Sequence, residues 1–230
     1  MKKRNSSYIY VILLLTTCMY IFSGCLGEKK NDTNSVENSN KETSPANQTE
    51  TVPEQRKEGK VNLSDKSSYF FIINGQKYTT ESLLKDIEMA GFTQDSNAAQ
   101  TEIQKGSYSL SGGFFKDSTT GNTIFSVIPV NNSEETVKCA DANIGGFYLE
   151  EYYYKDYQGK IEINEGITIG STLDELIEAF GDPTEKDMRD GYSNLGMLYK
   201  YKVGMFQYFE FEIDKETNKV KVISWRCFQN

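Results

Sequence analysis

The sequence points to an α+β fold: two tandem units, each a short helix packed on an antiparallel β-meander, after a disordered tether. Three observations support this. Strand-forming aromatics are abundant, with 15 Tyr and 13 Phe, yet residues 26–68 contain none. Two amphipathic helical stripes recur at constant spacing, and short alternating runs broken by polar turns follow each stripe. Hydrophobic residues make up only 37% of the 230, and mean hydropathy is −0.57, as expected when an unfolded stretch precedes a folded one.

The chain opens with Lys2-Lys3-Arg4, then an apolar run from Tyr8 to Phe22 containing Val11-Ile12-Leu13-Leu14-Leu15, then Ser23-Gly24. This is the three-part layout of a secretory signal peptide over residues 1–24. The run is shorter than the about 20 apolar residues of a membrane-spanning helix. Phe22-Ser23-Gly24-Cys25 resembles a bacterial lipobox. The resemblance implies a diacylglyceryl group on the Cys25 thiol, cleavage before it, and acyl chains such as palmitate. These would anchor the protein to the cell membrane on its extracytoplasmic face. Cleavage there removes Lys2, Lys3 and Arg4, so the 25 basic residues fall to 22 against 33 acidic, a net charge of −11. That balance argues against nucleic acid as a partner and leaves membrane attachment to the lipid.

Residues 25–68 are read as the lipidated cysteine and a tether rich in Asn, Ser, Thr, Glu and Lys, with Pro45 and Pro53. As a random coil the tether spans roughly 35 Å. Folding signals begin at Tyr69-Phe70-Phe71-Ile72-Ile73, a run of strand length, followed by the turn pair Asn74-Gly75. Leu83, Leu84, Ile87 and Ala90 then share one helical face, and Gly91 stands where a helix-ending glycine belongs. Ile128 and Val130 lead through a polar turn, residues 131–135, to Val137.

The design returns later in the chain. Ser171-Thr172-Leu173-Asp174 reads as a capping start with the Asp three residues after the Ser. Leu173, Leu176, Ile177 and Phe180 form one stripe, which Gly181 and Pro183 terminate. Leu83, Ile87 and Gly91 precede Leu173, Ile177 and Gly181 by a constant 90 residues. Ile128, Val130 and Val137 precede Phe211, Ile213 and Val220 by a constant 83. Two units follow, over 69–158 and 159–230. They are expected to join edge strands or to pack side by side.

Ile167-Thr168-Ile169-Gly170-Ser171-Thr172-Leu173-Asp174-Glu175 through Gly181-Asp182-Pro183 resembles the helix of β-lactamase-inhibitor-like domains. It is also similar to the helix of small lipoproteins of the outer-membrane assembly machinery. Leu198-Tyr199-Lys200-Tyr201 and Phe209-Glu210-Phe211-Glu212-Ile213 resemble the meander of that family. Ile73-Asn74-Gly75-Gln76-Lys77-Tyr78-Thr79 is similar to the opening of two-unit lipoproteins from Gram-positive anaerobes. The resemblance covers about residues 69–230 and implies a fold and a habit of binding proteins. It brings no catalytic residue with it.

The chain has no His, which excludes Ser-His-Asp and Cys-His nucleophile systems and imidazole zinc sites. Cys139 and Cys227 remain once Cys18 is removed and Cys25 is lipidated; they are either paired as a disulfide or two buried free thiols. Candidate carboxylate pairs are Glu150-Glu151, Glu210 with Glu212, and Asp187 with Asp190. Glu210 and Glu212 alternate with Phe209, Phe211 and Ile213, the pattern of a solvated sheet face. No calcium loop, metal site, cofactor loop or basic aromatic patch is expected. Tyr152, Tyr154, Tyr199, Tyr201, Tyr208 and Trp225 are candidate ligand-binding rings; the alternative places them in the core or the seam between units. Strict alternation from Val220 puts Trp225 on the outer face, and a single bulge turns it inward.

The expected function is a lipid-anchored, non-enzymatic binding module for a protein or cell-wall component, using the helix-free sheet face and the tyrosine-rich segment from Tyr148 to Tyr157. Two alternatives stand beside it: a carboxylate-dependent glycan or peptidoglycan enzyme, and a structural envelope-assembly lipoprotein without a discrete ligand.

Overall fold

Alternating apolar residues build strands only where partners cover them, and here one large sheet collects most of them. A computed structural model describes residues 57–189 and 196–228. The expected signal peptide, Cys25, residues 26–56 of the expected tether and Asp190 lie outside the described residues. Strands β1 (Phe70–Ile73) and β2 (Gln76–Thr79) form a hairpin, and a 3₁₀ helix over Leu84–Ala90 follows. Next come β3 (Phe92–Gln94), α1 (Ser96–Ala99), β4 (Glu102–Ile103), β5 (Phe114–Asp117), β6 (Thr123–Val130), β7 (Val137–Lys138) and β8 (Asn143–Glu150). The chain continues through α2 (Glu151–Tyr154), β9 (Ile161–Glu162) and α3 (Leu173–Phe180). It ends with β10 (Glu185–Arg189), β11 (Gly196–Gly204), β12 (Gln207–Asp214) and β13 (Val220–Cys227).

The architecture is mixed, with antiparallel sheet predominating and few helices. Eight strands form one sheet in the order β10-β11-β12-β13-β8-β6-β5-β3, and every described pair is antiparallel. The order runs outward from the β13–β8 contact through four strands on each side. There Trp225 lies opposite Phe147 and Ile223 opposite Leu149. A smaller sheet, β2-β1-β9, joins the start of the fold to Ile161-Glu162.

One face of the large sheet is covered and holds the core. Phe71 of β1 stacks on Phe147 with centroids 4.5 Å apart, and Tyr69 stacks on Phe209 at 4.6 Å. Phe180 of α3 meets Phe209 and Phe211 edge-on, each at 5.0 Å. Trp225 lies between Tyr69 at 5.9 Å and Phe147 at 6.4 Å. Each such ring buries about 150–250 Å², and these contacts add about 0.5–1.5 kcal/mol beyond burial. The Trp225 indole N–H is the only described buried side-chain polar atom without a hydrogen-bond partner.

Several local expectations change. The stripe of Leu84 and Ile87 is buried as predicted, but its segment winds as a 3₁₀ helix. The capping pair of α3 is Thr172 and Glu175, not Ser171 and Asp174. Ser171 Oγ instead accepts the Thr168 N–H. Val137 was aligned with Val220, but it sits in the short β4–β7 ladder. The strand before the seam is β8, because buried Asn131 holds residues 131–135 as a closed loop through Ile103 O and Glu135 O. The expected tether runs to residue 68, yet residues 57–68 pack on the fold. Val61 N–H bonds Ala179 O, the Tyr69 hydroxyl bonds Leu63 O, and Lys57 N–H bonds the Asp182 carboxylate.

Candidate functional site

The face of the large sheet opposite the core is built by strand alternation. Register pairs Lys200 with Glu210, Lys202 with Tyr208, Tyr208 with Arg226, and Glu210 with Ser224. The same face continues across the seam through Tyr148, opposite Ser224, and on to Ser126 and Phe114. Lys200 Nζ lies 2.5 Å from Glu210, and Lys221 Nζ lies 3.0 Å from Glu212. The Lys200 ammonium and the Arg226 guanidinium both lie over the Tyr208 ring, at 4.7 and 5.7 Å. The Tyr148 hydroxyl donates to Glu150 at 2.9 Å. Burial, with Glu150 alongside, raises the Tyr148 phenol and holds it protonated. A shallow depression of about 280 Å³ opens between Tyr148, Leu198, Val222, Ser224 and Arg226.

One end of this face is apolar. Phe228 stacks on Phe206 at 4.9 Å and meets Tyr108 at 4.8 Å. Met205, beside Phe206 in the β11–β12 turn, is 76% exposed, and Phe114 of β5 is 55% exposed. Phe228 itself is buried, and the exposed apolar groups at this end are Tyr108, Met205 and Phe114.

The candidate rings fall into three groups. Tyr199, Tyr201 and Trp225 point to the covered face: Tyr199 pairs with Phe211, Tyr201 with Phe209, and Trp225 with Phe209. All three are buried, and the Tyr201 hydroxyl bonds Gly181 O at 3.1 Å. As an exposed contact surface they are therefore corrected to core. A register shift at Lys221 supplies the bulge that turns Trp225 inward. Tyr208 lies on the open face but is only 7% exposed, covered by its two cations. Tyr152 is 68% exposed, whereas Tyr154 is half-buried and its hydroxyl joins Gly159 O and Ile161 N–H. Reading residues singly includes Tyr148 only as the start of the tyrosine-rich segment, and it misses Arg226, Phe114 and the Tyr108–Phe206–Phe228 cluster. Parity relative to Phe209 identifies Arg226 once the bulge is known.

Cys139 and Cys227 are free and buried, so the disulfide alternative gives way to two separate thiols. Cys139 lies against Gln94 and Gly112, while Cys227 ends β13 opposite Gln207. Burial raises the Cys139 thiol and pushes Cys227 up to about 11, so both stay protonated at neutral pH. Among the candidate acids, Glu210 and Glu212 are taken up in ion pairs and Glu150 by Tyr148. Asp187 accepts the Met188 N–H. Among the described residues no three His, Cys, Asp or Glu side chains gather to hold a metal ion, and no helix is long and apolar enough to cross a membrane. Compared with protein-family models, curated proteins and solved structures, the chain matches none of them.

Proposed function

We propose that this chain is a lipid-anchored extracytoplasmic lipoprotein whose folded region is a non-enzymatic binding module for a protein. The observation that carries the reading is the one-sided covering of an eight-stranded sheet. Its open face pairs an apolar end, Phe114 with Tyr108, Phe206 and Phe228, with a polar centre around Tyr148 and Arg226. Protein contacts combine aromatic and arginine anchors with polar groups that pair across the interface, and this face offers both kinds side by side. The ion-paired state of Glu210 and Glu212 weighs against their use as a catalytic acid pair.

The same proposal reads the molecule as two related units fused through β8 and β13. It is supported by matching backbone bridges: Leu83 with Asn143, and Thr172 with Lys219. In each half the residue leading into the helix thus bridges the start of the strand at the seam. The Cys25 anchor rests on the lipobox resemblance, and labelled-palmitate incorporation lost in Cys25→Ser tests it. For the contact face, photo-crosslinking from intact cells with a probe at position 148 should capture a protein, and Phe114→Ala with Arg226→Ala should lose it. Capture that survives both substitutions in a folded protein would remove the open face from the proposal.

A further inference from the structure

Beside the β5–β6 turn, the tyrosine-rich segment after β8 forms a cleft of about 350 Å³. Its volume falls within the range of small-ligand clefts, about 300–1,000 Å³. Tyr152 and Tyr153 present two walls, their rings 5.1 Å apart and at 83° to one another. They are 68% and 45% exposed, and neither hydroxyl makes a hydrogen bond among the described residues. Facing them are Thr120 and Asn122 from the turn and Lys155 and Asp156 from the far side of α2. The Asn122 amide and the Asp156 carboxylate likewise make no side-chain hydrogen bond among the described residues. The Lys155 ammonium sits 5.1 Å from the Tyr152 ring centroid, outside any described ion pair.

The turn that carries two of these groups is preset. Asp117 Oδ1 accepts the N–H groups of Thr119 at 2.7 Å and Thr120 at 3.3 Å. Gly121 N–H returns to Asp117 O at 2.8 Å, and Asp117 N–H bonds Asn122 O at 2.9 Å. Thr120 and Asn122 are therefore held in place before any ligand arrives, which lowers the ordering cost of binding.

Exposed aromatic faces beside the free Asn122 amide, the Asp156 carboxylate and the Thr120 hydroxyl, which accepts the Asn122 N–H at 3.3 Å, suit one ligand chemistry. A pyranose has an apolar C–H face that stacks on a ring and hydroxyls that need both donors and acceptors around its rim. The charges nearby, Asp117 and Asp156 against Lys155, give no excess of cations to attract an anionic polymer. We propose that this cleft is a subsite for a neutral sugar of an envelope polysaccharide, stacked on Tyr152 and hydrogen-bonded through Asn122, Thr120 and Asp156. The inference rests on reading the chain as a binding module and adds a ligand class to it.

The test uses the full chain in detergent, titrated by calorimetry with chitotetraose, cellotetraose and polygalacturonate. Binding of at least one neutral oligosaccharide is expected, weakened about tenfold by Tyr152→Ala and largely kept by Tyr152→Phe. Emission from Trp225, buried in the core, should be the same in both variants and so report an intact fold. No binding of either neutral oligosaccharide overturns the proposal, as does binding of polygalacturonate alone or affinity unchanged in Tyr152→Ala. A protein captured through position 148 with no oligosaccharide bound would overturn the cleft alone and leave the binding module standing. Oligosaccharide binding with no captured protein would keep the cleft and the binding module and remove only the protein-contact face.

Discussion

Residues 84–90 and 173–180 both carry an apolar stripe, but they bury different positions of it: Leu84 and Ile87 in the first, Leu176, Ala179 and Phe180 in the second. The first winds as a 3₁₀ helix and the second as an α-helix. Their beginnings differ. Thr172 Oγ1 accepts the Glu175 N–H, and the Glu175 carboxylate accepts the Thr172 N–H at 2.7 Å, so two exposed donors are satisfied reciprocally. At the first helix, Asp86 accepts the Leu83 N–H at 2.9 Å, but a leucine has no acceptor to return. Ser82, the nearest hydroxyl, is turned back to the Thr79 N–H. The apolar stripe therefore leaves the exact buried face to the packing, and the cap favours one hydrogen-bond ladder over the other.

The ends differ as well, and the largest expected effect lies there. Gly91 has φ +88° and open space around it, so Gly91→Ala should cost about 1–2 kcal/mol of backbone strain. At Gly181, φ is +73° and an added Cβ would stand 2.4 Å from Lys57 O and 2.5 Å from Gly59 N. Gly181→Ala should therefore fall in the rare class above about 4 kcal/mol in denaturant unfolding. Equal losses at the two glycines would erase this contrast.

The seam between the halves comes next. Trp225→Ala and Phe147→Ala should each cost about 3–5 kcal/mol, as truncations of fully buried rings. Their double mutant should fall short of additivity by about 0.5–3 kcal/mol, because the rings lie across one strand pair. Simple additivity would mean that the rings of β8 and β13 do not share one core. At the cap, Thr172→Ala should cost about 1 kcal/mol and lower far-UV helical signal, whereas Asp86→Ala should do less of both. A larger loss at Asp86 would show that half a box matters as much as a whole one.

A further contrast is a pH dependence at the end of β13, read as a slope and not as a single loss. The Cys227 thiol is raised from 9.0 to about 11 by burial. Below pH 9 it is protonated in both the folded and unfolded states. As pH rises from about 9 to 11, only the unfolded chain releases the proton, so stability falls through that window. Cys227→Ala should flatten this part of a Tm-versus-pH curve; an unchanged slope would assign it to the other buried groups.

Much of the sheet was legible along the chain. Alternation at Tyr208-Phe209-Glu210-Phe211-Glu212-Ile213 assigned the covered and open faces of β12 correctly, since successive side chains of a strand point to opposite sides. Gly91 and Gly181 marked the helix ends. The candidate site was less legible. Tyr199 and Tyr201 look like surface tyrosines until the β11–β12 register sets them beside Phe211 and Phe209. Trp225 changes face through the bulge at Lys221, a single residue that no periodicity announces.

Periodicity, turns and caps depend on residues a few positions apart, so local chemistry is enough to specify them. The antiparallel α+β character, the strand faces and the positions of both helices belong to that class. The β8–β13 seam and the packing of Lys57–Ser68 against α3 and β12 depend on groups far apart in sequence. So does the choice of which tyrosines are core and which are surface. Those features arise only when the folded chain balances buried aromatic area against strand register, a sum over distant partners that no short window contains.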